Sequence, residues 1–319
     1  MKSPHISHRV VFDIGSGTVK MQSAWIDESS SRILEKTGNF SCWLPISDFI
    51  AEHPEKEISK DVLEMIIFAL LEGKKKSCLQ GVFSLYFGVA TEAFRLAKNG
   101  KEALALIEKK TGISLRCISH EEEALLGRKA LCVEGYFHPE EDFIAWENGG
   151  GSLQITAQSK VDREVFCFMK KIGKIPFKNH VIENIQRKKK NLAVSPNPIS
   201  EEDAHKAIEW LAFELQTIPS WLSLGLESLE GKVIGFGGMF PCIQNSLGKS
   251  DFTKEDVRLF LNALIAKTDE DLKGNEPTTF QVLDPLFLYA VMDILKIKSV
   301  SYKSLIGSTS ALLVSKSIH

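Results

Sequence analysis

One pattern occurs twice in this chain: an apolar strand, an acidic residue at its end, a glycine-rich tip, and at once a second strand. In the first half, Arg9-Val10-Val11-Phe12-Asp13-Ile14 runs into Gly15-Ser16-Gly17-Thr18, and a strand follows from about Val19 to Ile26. In the second half, Phe143-Ile144-Ala145-Trp146-Glu147 runs into Asn148-Gly149-Gly150-Gly151-Ser152, and strands follow over Leu153 to Ala157 and Glu164 to Met169. A short loop rich in glycine between two apolar runs reads as a hairpin. Its recurrence in matching context predicts two similar domains, facing each other so that the two tips lie across one cleft.

The intervening segments predict an α/β protein. The first half reads β-β-β-α-β-α-β-α. Ser59 caps an amphipathic helix from Asp61 that ends near Gly73 and Lys74-Lys75-Lys76. A strand over Val82 to Val89 precedes a helical stretch to Ala97, and Asn99-Gly100 separates this from a helix over Lys101 to Lys110. Ser114 to Ile118 is a strand, and Glu121 to Val133 a helix. In the second half, Arg187 to Pro198 is a polar, proline-punctuated loop, and Ser200-Glu201-Glu202-Asp203 opens a long helix that Pro219 interrupts. Val233 to Gly238 is a strand entering a glycine turn, helices start at Thr253 and about Pro285, and a last strand lies near Ser299 to Ser304. The expected domains are 1–125 and 126–319.

Composition excludes several function classes. With 319 residues and a net charge of -2, the chain lacks the basic footprint of a nucleic-acid binder. Its six cysteines are far apart with no C-x-x-C pair, which disfavours a disulfide scaffold or a thiolate metal site. The longest apolar runs are too short to span a bilayer, and the N-terminal segment lacks a signal-peptide pattern. Cytoplasmic location is the resulting expectation. The histidines show no H-x-x-x-H or H-E-x-x-H spacing and no G-x-S-x-G elbow is present, which argues against a zinc or serine hydrolase.

The repeated tip suits phosphate chemistry. Glycines let backbone N–H groups approach an anion, and Ser16, Thr18 and Ser152 add hydroxyl donors. The strand-end acids Asp13 and Glu147 suit Mg²⁺, which prefers oxygen ligands and is usually shared with substrate phosphate. Taken singly, each tip is also what a tight β-turn looks like.

Four ordered segments resemble the exopolyphosphatase/guanosine-pentaphosphatase (Ppx/GppA) family of the actin-like superfamily. They are Asp13-Ile14-Gly15-Ser16-Gly17-Thr18, Ala90-Thr91-Glu92-Ala93-Phe94-Arg95 with the residues to Gly100, Ile118-Ser119-His120-Glu121-Glu122-Glu123-Ala124, and Gly149-Gly150-Gly151-Ser152. The resemblance implies two actin-like (ribonuclease H-like) domains with a phosphate-binding cleft between them. It implies Mg²⁺-dependent release of terminal phosphate from inorganic polyphosphate or guanosine pentaphosphate (pppGpp). Glu123 matches the carboxylate that activates water, and Arg95 the arginine that neutralises substrate charge. Asp13 and Glu147 match metal-associated acids, and Gly15, Ser16, Gly17, Thr18, Gly149, Gly150, Gly151 and Ser152 match the two phosphate loops. Lys20 follows the first tip as in an actin loop and suits a nucleotide β-phosphate, or is simply an exposed strand lysine. No nucleic-acid or membrane partner is expected, and a homodimer is left open.

Departures from the family pattern cluster at the site. Glu147 replaces an aspartate, Gln154 an acid, His120 a glycine and Met239 a threonine, and the C-terminal motif survives only faintly in Ser301 to Ser308. Two further readings therefore stand beside the hydrolase: a degenerate member that binds polyphosphate or nucleotide as a sensor, and an actin-like ATP phosphotransferase.

Overall fold

The structure is a computed structural model that describes residues 5–159, 162–189, 194–228, 232–272 and 278–315. The chain forms two compact units, residues 1–140 with 305–319, and residues 141–304.

The first unit holds strands β1 (Ile6–Ile14), β2 (Thr18–Asp27), β3 (Arg32–Trp43), β4 (Ser84–Ala90) and β5 (Ser114–Cys117) in one sheet of order β3-β2-β1-β4-β5. The pairs β1·β2 and β2·β3 are antiparallel, whereas β4 and β5 run parallel to β1. Period-two alternation along β1 divides the packing. Val10, Phe12 and Ile14 join the cluster containing helices Lys60–Lys76 and Gly100–Thr111. Val11 points to the opposite face, beneath helix His120–Val133 and the short terminal helix Thr309–Leu313. Asp13 shares the parity of Val11, so its carboxylate emerges on that second face.

The second unit holds β6 (Ile144–Asn148), β7 (Leu153–Gln158), β8 (Val165–Lys170), β9 (Val233–Gly237), β10 (Asp251–Thr253) and β11 (Ser299–Tyr302). Their order is β10-β11-β9-β6-β7-β8. Strands β6, β7 and β8 form an antiparallel meander, and β9 and β11 run parallel to β6. Read from β8, this repeats the first sheet strand for strand, with β10 added at the edge. The repeat inferred from the two tips is therefore a repeat of topology. Two domains of the actin-like type make up the chain.

Local signals account for most elements. Ser59, Ser119, Ser200 and Thr253 each accept a backbone N–H of the following helix, and Ser200 and Thr253 complete capping boxes with Asp203 and Asp256. Helix Glu201–Glu214 ends ahead of Pro219, and helix Ser220–Ser228 starts after it. Two expectations need correction. The first unit extends to residue 140, not 125, because helix His120–Val133 packs as a whole on the β1 sheet. The tail from 305 also belongs to the first unit. Residues 1–4 of the N-terminal arm and 190–193 of the polar loop lie outside the described residues.

Candidate active site

In the first unit the tip is closed by the Gly15 N–H donating to the Thr18 carbonyl at 2.8 Å. Leu44 and Ser47 donate to the carbonyls of Gly17 and Ser16, anchoring the turn to the loop after β3 and to helix Ile46–Glu52. The buried hydroxyl of Ser16 has no hydrogen-bond partner among the described residues. That is the kind of group a bound anion or water satisfies.

Asp13 is 8% exposed. Its Oδ2 accepts the backbone N–H of Ser308 at 3.0 Å and the Ser308 hydroxyl at 3.1 Å. Gly307 makes this approach feasible. Its φ is +57°, and a Cβ there would lie 2.3 Å from Asp13 Oδ2. Asp13 Oδ1 accepts no hydrogen bond from any described residue. Lys20 stands directly opposite Asp13 across the hairpin, and its ammonium makes no ion pair among the described residues.

Glu123 lies in the first turn of helix His120–Val133, where Ser119 caps the helix and the dipole favours acids. Arg95 Nη2 donates to Glu123 Oε2 at 2.8 Å, Nε donates to Glu92 Oε2 at 3.1 Å, and Nη1 donates to the Ile118 carbonyl at 2.6 Å. His120 Nε2 lies 2.5 Å from the same Glu92 oxygen. Burial pushes the Glu123 carboxyl above the usual range, against the opposing pull of Arg95, and the negative charge of Asp13 adds to the rise. Burial also acts to raise Glu92, yet hydrogen bonding and charge from His120, with Arg95, hold it below its ordinary value. One carboxylate of the cluster is thus kept firmly ionised and the other is made a better proton acceptor.

In the second unit Gly149 N–H donates to Ser152 O at 3.0 Å, closing the second tip. Lys174 and Ile175 donate from their backbones to Gly149 and Gly150. Gly238 N–H donates to the Asn148 carbonyl at 3.0 Å, and at Gly237, whose φ is +99°, a Cβ would meet that carbonyl at 2.5 Å. Glu147 pairs across the hairpin with Gln154. Gln154 is 2% exposed; its amide donates to Ser152 Oγ at 3.2 Å, and its Oε1 has no partner among the described residues. Lys174 Nζ lies 2.5 Å from Asp284 Oδ2 and over the Phe280 ring at 4.2 Å.

The structure therefore gathers Asp13, Lys20, Arg95, Glu123 and the Gly15–Thr18 tip in the first unit, and Glu147 and the Gly149–Ser152 tip in the second. Sequence reasoning quoted Gly307 and Ser308 only within a faint motif and Glu92 only within a family segment, without these roles, and it missed the Lys174–Asp284 pair. Gly-Ser-Thr-Ser before the apolar Ala311-Leu312-Leu313 was the available signal of a glycine turn entering a helix. Among the described residues no group of three or more His, Cys, Asp or Glu forms a metal cluster, and no helix is long and apolar enough to cross a membrane.

The sequence pattern of the Ppx/GppA phosphatase family matches residues 87–305. The chain belongs to that family. No curated protein matches. Solved structures show the same fold at low identity. The Aquifex aeolicus PPX-GPPA enzyme superposes with a TM-score of 0.70 at 18% identity, covering 97% of this chain and 99% of that one. An exopolyphosphatase from Cytophaga hutchinsonii gives a TM-score of 0.72 at 15% identity, covering 96% of each chain.

Proposed function

We propose that the protein is a Mg²⁺-dependent phosphoanhydride hydrolase that releases terminal phosphate from inorganic polyphosphate or guanosine pentaphosphate. The observation that carries this reading is Glu123: a carboxylate with raised proton affinity, aimed by Arg95, on the same sheet face as the strand-end Asp13. Family membership and the exopolyphosphatase among the similar structures support the substrate class.

Such a hydrolysis needs positioning and charge stabilisation more than covalent chemistry by the protein. Water attacks the terminal phosphorus, Glu123 accepts a proton from that water, and the bridging P–O bond breaks to leave a shortened chain and inorganic phosphate. In the first unit backbone N–H groups of the Ser16–Thr18 tip suit phosphate oxygens, as do those of Gly150 to Ser152 in the second unit, and Lys20, which makes no ion pair among the described residues, supplies a cation. Asp13 Oδ1 suits a Mg²⁺ held by few carboxylates and completed by substrate oxygens, and Glu147 is the corresponding candidate in the second unit. Mg²⁺, when bound, offsets phosphate charge that would repel these acids. Arg95 spends three hydrogen bonds within the protein, which makes orientation of Glu123 its first task.

Phosphate release from polyphosphate, pppGpp and ATP, side by side with and without Mg²⁺, tests the reading. Release from either of the first two that stops on chelation supports it, and turnover of ATP alone favours a phosphotransferase. Gln154 favours a second reading, a sensor without turnover, because a buried neutral amide stands where the family carries an acid. Tight polyphosphate binding without phosphate release would select it.

A further inference from the structure

Of the five tryptophans, Trp43 alone is exposed, at 50%. It closes the edge strand β3, and the register of the sheet fixes which way it faces. Residues directly opposite each other in a sheet share a face. Asp13 lies opposite Lys20, Lys20 opposite Ser41, and Thr18 opposite Trp43. Lys20 and Thr18, two apart on β2, share that face too. The alternate residues Ile14, Val19 and Cys42 turn to the core cluster on the other side. Trp43 therefore stands on the face that carries Asp13 and Lys20, one strand away from Thr18 of the glycine tip. Its neighbour Leu44 donates a backbone N–H to the Gly17 carbonyl at 2.9 Å, which ties the end of β3 to that tip.

The tip calls for an anion. The buried Ser16 hydroxyl has no partner among the described residues, and the Lys20 ammonium makes no ion pair among them. The face of an indole carries the negative side of the ring quadrupole and does not attract phosphate, but it does stack on another flat ring. A single ligand that suits both features carries phosphates and a base. From β1 to β3 is two strand spacings, roughly 10 Å, a gap that the ribose and phosphate chain of a nucleotide bridge. We propose that Trp43 is a specificity-determining residue: it stacks on the base of a nucleoside polyphosphate whose phosphates occupy the Ser16–Thr18 tip, so that a base-bearing substrate is taken in preference to bare inorganic polyphosphate. The phosphate chain runs from Trp43 past Lys20 toward Asp13. This narrows the substrate class and rests on the reading of the tip as the phosphate site.

Equilibrium binding of pppGpp and of inorganic tripolyphosphate to the full chain with Mg²⁺ tests this, with Glu123→Gln as the background that stops turnover. A base stacked on an aromatic side chain gains ~5- to 150-fold in affinity. Trp43→Leu should weaken pppGpp by that factor and leave tripolyphosphate unchanged. Trp43→Tyr, which keeps a ring, should retain most of the pppGpp affinity. Indole fluorescence should change as pppGpp saturates, and that change should vanish in Trp43→Leu. A merely structural role would weaken both ligands alike. Equal losses for the two ligands, an unchanged pppGpp affinity in Trp43→Leu, or no saturable pppGpp binding by the parent overturns the proposal. An altered oligomeric state in Trp43→Leu with pppGpp affinity intact would assign the β3 edge to a second copy instead. If pppGpp binds through Trp43 but the parent protein releases no phosphate from it, the base site stands and the hydrolase reading fails. If phosphate is released from polyphosphate while Trp43→Leu leaves pppGpp unaffected, the hydrolase reading stands and the base site fails.

Discussion

The two units share a hairpin down to its register, but not its chemistry. In each, the strand-end acid pairs with the residue seven positions on: Asp13 with Lys20, and Glu147 with Gln154. The first pairing sets an acid against an ammonium that makes no ion pair among the described residues, and the ion cluster of Arg95, Glu123, Glu92 and His120 lies on the same unit. The second sets an acid against a buried neutral amide, and Lys174, whose backbone N–H donates to Gly149 of the tip, pairs with Asp284. The same backbone thus carries an ion cluster beside its acid in one copy, whereas in the other the acid faces a neutral amide. Duplication of a fold repeats the geometry that glycine and alternation dictate, while side chains at equivalent positions remain free to diverge.

Breaking that asymmetry should have its largest effect at Glu123. Glu123→Gln keeps size and loses basicity, so phosphate release should fall by ~100- to 10,000-fold. Glu147→Gln should cost distinctly less if the second unit serves binding. Comparable losses in both variants would mean that the units share the chemistry equally. Glu123 also has a stability signature. Its folded-state proton affinity is raised, so its contribution is fully present below the unfolded-state pKa and is lost as pH rises through the folded value. Thermal melts of Glu123→Gln should gain on the parent from acidic to neutral pH. A constant offset would contradict the raised affinity.

Next in size are the two places where each unit stabilises a buried acid. Asp284 is 2% exposed and pairs with the half-buried Lys174, which would keep only the Gly238 carbonyl and the Phe280 ring among the described residues, so Asp284→Ala should cost up to about 3 kcal/mol. Ser308→Ala removes one of two donors to Asp13 and should cost ~1–3 kcal/mol, the backbone N–H remaining. Denaturant melts of both variants rank the two effects. A neutral Ser308→Ala would mean that water replaces the hydroxyl at Asp13.

Much of this was legible in the sequence because it is local. The tips, the caps at Ser59 and Ser200, and the period-two parity that sets Asp13 and Phe12 on opposite faces all follow from neighbours along the chain. The pairing of Glu123 with Arg95 was not local, and only the ordered family segments suggested that they work together. Ser308 meets Asp13 across 295 residues and Lys174 meets Asp284 across 110, and no local rule links such positions. The long strand β3 carried little signal. It is a sheet edge, largely exposed along its length, so no alternation of apolar residues marks it. The end of the first unit was misplaced because helix His120–Val133 is amphipathic by itself, and only packing on the sheet shows which unit it joins.

The smallest expected effect is the most discriminating for the comparison between the units. Gln154→Glu places an acid opposite Glu147, as the family usually has it, in a position that is 2% exposed. Two carboxylates that close repel, and burial adds to the penalty, so the variant should be less stable than the parent without a cation. Mg²⁺ with a polyphosphate should reverse that loss, because a ligand that binds only the folded state stabilises in proportion to its saturation. Melting temperature is the measurement, taken with polyphosphate alone, Mg²⁺ alone and both. A rise in Gln154→Glu that needs both, and exceeds the parent's rise, identifies the second hairpin as a metal-and-phosphate site weakened by one amide. A gain in phosphate release should accompany it. If the variant responds as the parent does, the second tip binds phosphate through its backbone alone, and the metal chemistry resides with Asp13.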